Sequence, residues 1–269
     1  LPQMNAAERS RIGDILSGFD AKISANHQLA DDLRKTLRTI FKSWFLNFER
    51  DAENVEGESG LPRGWTRRRL DECHFTIESG SRPKGGVAGI TSGTPSIGAE
   101  SINGIGVFEY SKTKHVPHDF FLKMKKGKPR DFDVLLYKDG GKPGEFKPRL
   151  GMLGLGFPFN SYAINEHVFL LRSELLGQFF LYFWIELEST LDVLRALGVK
   201  SAIPGINQQD VNSLEVLLPS TERLDEFNEL GQVAVERILT LSKESRALSL
   251  LRDSVLPMAL QGEVKGGVS

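Results

Sequence analysis

The residues best suited to chemistry in this chain are cations. Between Lys112 and Arg149 lie eleven of them: Lys112, Lys114, Lys123, Lys125, Lys126, Lys128, Arg130, Lys138, Lys142, Lys147 and Arg149. Five acids accompany them (Asp119, Asp131, Asp133, Asp139 and Glu145), an excess of six positive charges in a chain of formal net charge −1. Upstream, Ser79-Gly80-Ser81-Arg82-Pro83-Lys84-Gly85-Gly86 sets two further cations among hydroxyls and open backbone amides. Such loops suit phosphate, and Arg and Lys also match the guanine edge in a major groove. One charge run is ordinarily a solvated face. Two basic loops in one region point towards nucleic acid.

Catalytic signatures are scarce by contrast. The sequence holds no Walker A motif, no Rossmann glycine fingerprint, no HExxH, no Cys/His cluster at metal spacing and no Asn-Pro-Pro-aromatic methyltransferase motif. Asp139, Glu145 and Lys147 form a D-x5-E-x-K echo of a nuclease metal site. They sit in a Gly/Pro loop rather than on paired strands, and the Asp-to-Glu interval is short, so a basic loop with interspersed acids is the better reading. The five histidines are scattered, and His115 and His118 flank Pro117 as surface residues.

Those loops need a scaffold. At 269 residues, 40% hydrophobic and 26% charged, the chain has the composition of an ordinary globular protein that can bury a core. Its single cysteine, Cys73, excludes an internal disulfide and suits a reducing cytoplasm. No apolar run approaches the ~20 residues of a membrane span, and Leu1–Ser10 does not look like a signal peptide.

The scaffold's main element is a periodic segment from Glu8 to Phe48. Steps of four and three trace Ile12, Leu16, Phe19, Ile23, Asn26, Ala30, Leu33, Leu37, Ile40 and Trp44, a coiled-coil seam with Asn26 as its one polar member. A helix of this length spans about 60 Å and needs a partner helix. Asn26 is either a buried residue fixing register or a side chain at a wet edge. A second long helix is predicted from Glu222 to about Leu256, with Phe227, Leu230, Ile238, Leu241, Leu248 and Val255 in its seam, and Pro257 should end or kink it. At an offset of 215, Ile12, Ile15, Ile23, Leu33 and Ile40 fall on Phe227, Leu230, Ile238, Leu248 and Val255, an internal repeat. An antiparallel hairpin with the middle region at one end buries both seams most simply. The alternative pairs each seam with a second chain.

The expected organisation is a long helix over 1–50, an acidic linker over 51–64, a mixed α/β (α+β) domain over 65–217, and the second helix with a frayed tail over 218–269. Strands are predicted at Thr94–Ile97, Gly106–Tyr110, Val134–Tyr137, Gly151–Leu155, His167–Arg172 and Leu214–Leu217. Gly177 to Leu197 reads as one helix whose aromatic face (Phe179, Phe180, Phe183, Trp184) is core, and Asn207–Ser213 as a helical turn. Leu1-Pro2 reads as the end of an extended segment.

Several stretches together resemble the specificity (S) subunit of type I restriction–modification enzymes: SGSRPKGG at Ser79–Gly86, GTPSIGAESI at Gly93–Ile102, DVLLYKDGGKPG at Asp133–Gly144, AINEHVFLLR at Ala163–Arg172, and GINQQDVNSLEVLLP at Gly205–Pro219. The helix ends LRKTLRTIFKSWF (Leu33–Phe45) and LRDSVLPMALQGEV (Leu251–Val264) resemble it too. The resemblance covers essentially the whole chain. It implies a target-recognition domain on a long antiparallel two-helix coiled coil, binding double-stranded DNA, reading one half of a bipartite site, and assembling with DNA methyltransferase (modification) and restriction subunits. It implies no catalytic residue and no metal or cofactor here, with S-adenosylmethionine, ATP and Mg2+ belonging to the partners. An S subunit of the family carries two recognition domains and this chain one. Leu1-Pro2 resembles the exit from a first domain, so the chain is read as a C-terminal half, or a half-subunit that pairs with a second copy of itself.

The expected DNA contacts are Ser81, Arg82, Lys84, Lys112, Lys114, Lys138, Lys142, Lys147 and Arg149, with Asn160 and Lys200 added. Two other functions stay open: the recognition end of a single-chain restriction–methylation enzyme, and a coiled-coil module whose middle domain binds protein or carbohydrate.

Overall fold

A computed structural model of the chain describes residues 5–55, 60–140, 142, 144–200 and 204–261, with the side chains of 256 and 258–261 left aside. The expectations for Leu1-Pro2 and for the tail from Gly262 to Ser269 lie outside the described residues.

Helix α1 (Ala6–Phe45) opens on a reciprocal cap. Asn5 Oδ1 accepts from the Glu8 backbone N–H at 2.9 Å, and Glu8 Oε2 accepts from the Asn5 N–H at 3.0 Å. Two otherwise orphaned donors are thereby satisfied. Next come β1 (Thr66–Arg69), β2 (Phe75–Ser79), β3 (Thr94–Ile97), β4 (Gly104–Ile105) and β5 (Lys114–Val116). Helix α2 (His118–Lys123) leads to β6 (Val134–Tyr137), β7 (Leu150–Met152), β8 (Ala163–Ile164) and β9 (Val168–Ser173). Helices α3 (Gln178–Ile185), α4 (Glu188–Gly198) and α5 (Gln208–Asn212) precede β10 (Glu215–Leu218) and the second long helix, α6 (Thr221–Gln261).

The long helices are antiparallel. Asp51 meets Arg223, Asn26 meets Glu244, and Asp20 meets Arg252, so partners fall along α6 as they rise along α1. On the α1 side Ala30, Leu37, Phe41 and Phe45 are buried, while Ile12, Leu16, Phe19, Ile23, Leu33 and Ile40 are partly so. Across from them Phe227, Ile238 and Leu241 are buried, and Leu248 and Val255 partly so. Leu230 departs from the expected seam: it is 37% exposed, and the adjacent Gly231 turns inward instead. A Cβ at Gly231 would come within 2.6 Å of the Phe179 Cβ, so this position admits α3 only because it lacks a side chain.

The middle region sits alongside the pair rather than only at its end. Helix α3 has seven buried residues and wedges its rings into the base of the two helices. Phe180 meets Phe45 edge-on at 4.9 Å, and Phe227 meets Phe41 at 5.3 Å and Phe183 at 5.8 Å. Higher up, Arg34 Nε donates to the Ile105 carbonyl (2.9 Å), Ser242 to that of Gly106 (2.7 Å) and Lys243 to that of Leu155 (2.8 Å). Outward of Asn26 the ties run between the helices themselves.

Three sheets build the middle region. One is the five-stranded β2-β9-β6-β7-β4, antiparallel except for the parallel β4–β7 pair. The second, β5-β3-β8, has β3 antiparallel to β5 and parallel to β8. The third, β1-β10, joins the strands by which the chain enters and leaves, with Thr66 opposite Leu218. A charged network staples the large sheet: Arg172 on β9 holds Asp133 through Nε (2.6 Å) and Nη2 (2.5 Å), and Glu78 on β2 through Nη1 (2.7 Å).

Three expectations fail locally. Gly106–Tyr110 forms no strand, because Gly106 turns at φ +65° and its carbonyl is taken by Ser242 of α6 rather than by a sheet neighbour. The helix expected over Gly177–Leu197 breaks after Ile185. Leu187 is extended and buried there, so the apolar α3 ends and the half-exposed α4 leaves in a new direction. Helix α6 does not end at Pro257 but continues to Gln261; Pro257 is exposed, and the ring removes a single backbone donor. Among the described residues no helix is long and apolar enough to cross a membrane.

Candidate nucleic-acid interface

Loops at the ends of the strands carry the cations. Ser81, Arg82 and Lys84 lie between β2 and β3, where the Gly86 N–H closes a turn on the Pro83 carbonyl (3.0 Å) and Gly85 and Gly86 adopt positive φ. Gly80 anchors the start of this loop, since a Cβ there would overlap the carbonyls of Ile164 and Asn165. The loop is therefore pressed onto the segment between β8 and β9.

That segment supplies what sequence reasoning missed, the partners of the cations. Arg82 Nε lies 2.9 Å from Glu166 Oε1. The same oxygen is 3.4 Å from His167 Nε2, and His167 Nδ1 bonds to Asp139. Asp139 faces Lys138 (3.5 Å), whose ammonium also lies over the Phe169 ring. Five side chains from three loops thus form one linked chain, with His167 set between the carboxylates of Glu166 and Asp139. Hydrogen bonds from Gly140 N to Pro204 O and Ile206 N to Lys138 O pin the Asp139 end. These contacts join residues far apart in sequence, so no spacing pattern could have displayed them.

The other expected contacts divide. Lys114 on edge strand β5 pairs with Glu100 at 2.8 Å. Partial burial works to raise the Glu100 carboxyl, but the Lys114 hydrogen bond, a backbone donor and nearby positive charge outweigh it and hold the carboxyl below its ordinary value. Lys147 pairs with Glu145 (2.7 Å), and Arg149 lies over Tyr137 (5.0 Å). Lys84, Lys112, Lys142 and Lys200 are exposed and form no ion pair among the described residues. Asn160 makes no contact with the Arg82 chain among the described residues: it lies against Gly156 and lines a recess with Lys128 and Arg130. The nuclease echo does not assemble, since Glu145 is tied to Lys147 while Asp139 faces His167; among the described residues no group of His, Cys, Asp and Glu could hold a metal ion. Exposed lysines can neutralise phosphates, while the paired Arg and carboxylates offer donors and acceptors of fixed geometry.

A mixed domain set against an antiparallel pair of long helices has counterparts among solved structures. The fold matches the S subunit from M. genitalium with a TM-score of 0.58 at 15% identity, over 95% of this chain and 61% of that one. The HsdS subunit from Thermoanaerobacter tengcongensis aligns with a TM-score of 0.45 at 17% identity, over 96% of this chain and 58% of its own. In sequence the chain is similar to the type I restriction enzyme MjaIX specificity subunit of Methanocaldococcus jannaschii, 23% identical over 272 residues. The resemblance read from the motifs thus extends along 98% of the chain, which spans 60% of that relative's length. No family model matches the sequence.

Proposed function

We propose that this chain is a DNA-binding specificity subunit of a type I restriction–modification system. Residues 65–217 act as a target-recognition domain reading one half of a bipartite site, and the helices of 1–50 and 218–269 hold the methyltransferase and restriction subunits. The observation that carries this reading is the likeness to a specificity subunit along 98% of this chain, joined to a rim of exposed lysines on the mixed domain.

The chain itself is non-catalytic and needs no cofactor of its own. S-adenosylmethionine, ATP and Mg2+ act in the partner subunits, and base flipping for adenine methylation is the methyltransferase's task. It works in the cytoplasm, where its DNA is. A second copy, joined through the helix pair, would supply a second recognition domain by two-fold symmetry. The likeness to specificity subunits disfavours the single-chain enzyme and the protein- or carbohydrate-binding module.

A mobility-shift assay on random duplex DNA across a salt series tests the reading. The expected result is a shift that weakens steeply with salt, reflecting counterion release by the lysines. A shift insensitive to salt, or none even with a bound methyltransferase subunit, would refute it.

A further inference from the structure

We propose that Arg82 and Glu166 read sequence as a unit, presenting a donor edge and an acceptor edge side by side to a C·G base pair in the major groove. The proposal rests on the DNA-specificity reading and goes beyond it by separating base contacts from phosphate contacts.

Arg82 is committed through Nε, 2.9 Å from Glu166 Oε1. Its two terminal amino groups make no hydrogen bond among the described residues, and its side chain is 61% exposed. A free pair of N–H donors in one plane matches O6 and N7 of guanine. Glu166 is 27% exposed and shares Oε1 between Arg82 and His167, while Oε2 makes no hydrogen bond among the described residues. A carboxylate oxygen so placed accepts from the cytosine N4 amino group. The two groups are as close as neighbouring bases, which rise ~3.4 Å along a strand, so one base pair or one step engages both.

Charge argues against a phosphate at this point. Glu166 lies directly on Arg82 and Asp139 lies across His167 from it, so a phosphate on Arg82 would meet a carboxylate already in place. A base edge carries both donors and acceptors and meets the pair without that penalty. Phosphates instead suit the lysines outside the chain of paired charges, such as Lys84 and Lys142.

The pair is also held in place before any ligand arrives. The absent Cβ at Gly80 locks the Arg82 loop against Ile164 and Asn165, and Asn165 donates its backbone N–H to the Ile97 carbonyl (2.9 Å) while its side-chain oxygen accepts from the His167 N–H (3.0 Å). Groups fixed by such supports keep the geometry that discrimination needs.

The test is selection from a duplex library with a randomised core, followed by sequencing of the bound fraction. It uses the full chain, Arg82→Ala, Glu166→Gln and Lys142→Ala, each checked for an unchanged melting temperature. The unaltered chain should enrich a motif containing a C·G position. Arg82→Ala should erase preference at that position, a loss of about fivefold to 150-fold. Glu166→Gln should move preference towards A·T, because the amide pairs with adenine. Lys142→Ala should lower affinity for all sequences alike and reduce the salt slope by about one. If Arg82→Ala and Glu166→Gln both retain the parental motif, the pair does not read bases. If the unaltered chain enriches nothing even with a bound methyltransferase subunit, the DNA-specificity reading itself falls.

Discussion

At the scale of single residues, polar groups buried among apolar ones fix the geometry. Asn26 is 3% exposed and donates to Glu244 Oε2 at 3.0 Å, which decides between the two positions open to it in favour of the buried one. A buried Asn in a helix seam trades stability for register. Asn26→Leu should stabilise the pair by about 1 kcal/mol, raising Tm by about 2–4 °C, and loosen oligomer specificity; calorimetry and light scattering read both. The Arg172–Asp133–Glu78 network is the stronger case, with side chains 16%, 4% and 25% exposed. Arg172→Ala would strand a buried carboxylate and should cost roughly 3–5 kcal/mol in denaturant unfolding. Partial burial works to raise the Glu78 carboxyl, but the Gly127 N–H and Arg172 outweigh it and depress its pKa. A depressed folded-state pKa adds stability that is full above the ordinary value of 4.5 and is lost as pH falls through the folded one. Glu78→Gln should therefore flatten the acid limb of the stability profile, and an unchanged limb would show that Glu78 does not contribute to it.

At the scale of elements, docking depends on glycines as much as on side chains. Gly106 lets the chain turn against α6, with a would-be Cβ 2.9 Å from Ile238 Cγ2 and 3.0 Å from Ser242 Oγ. Gly106→Ala should loosen that contact at a cost of about 1–3 kcal/mol, seen as a lower Tm. Phe227 is fully buried among Phe41, Trp44, Phe45 and Phe183, and Phe227→Ala should cost about 3–5 kcal/mol. Elements were legible in the sequence where pattern and burial coincide. The long helices carry a sustained period, and β6 (VLLY) and β9 (VFLLRS) are apolar runs buried on both faces. Strand β1 (TRRR) was illegible because all four residues are exposed and its pairing depends on β10, and β4 and β8 are two residues each. The break between α3 and α4 was hidden because Leu187 keeps the apolar period while leaving helical geometry.

At the scale of the molecule, two helices of about 60 Å carry one mixed domain and project beyond it. The antiparallel pair was legible from two separated periodic segments, but the docking of the domain along its side, through Arg34, Ser242 and Lys243, was not. The arrangement of the basic rim needed more: cations were visible as composition, but the pairing of Arg82 with Glu166 and of Lys114 with Glu100 depends on how loops meet. Glu166 and Glu100, which pair with these cations, lie outside the Lys112–Arg149 run and were absent from that reading.

The most direct test of specificity-subunit function is methylome sequencing of a host free of adenine methylation, expressing a cognate modification subunit with and without this chain. With the chain, modified adenines should appear within one bipartite motif, and without it they should be absent. Copurification of the two proteins with no methylation, or an identical pattern in both cultures, would contradict a role in choosing the DNA target.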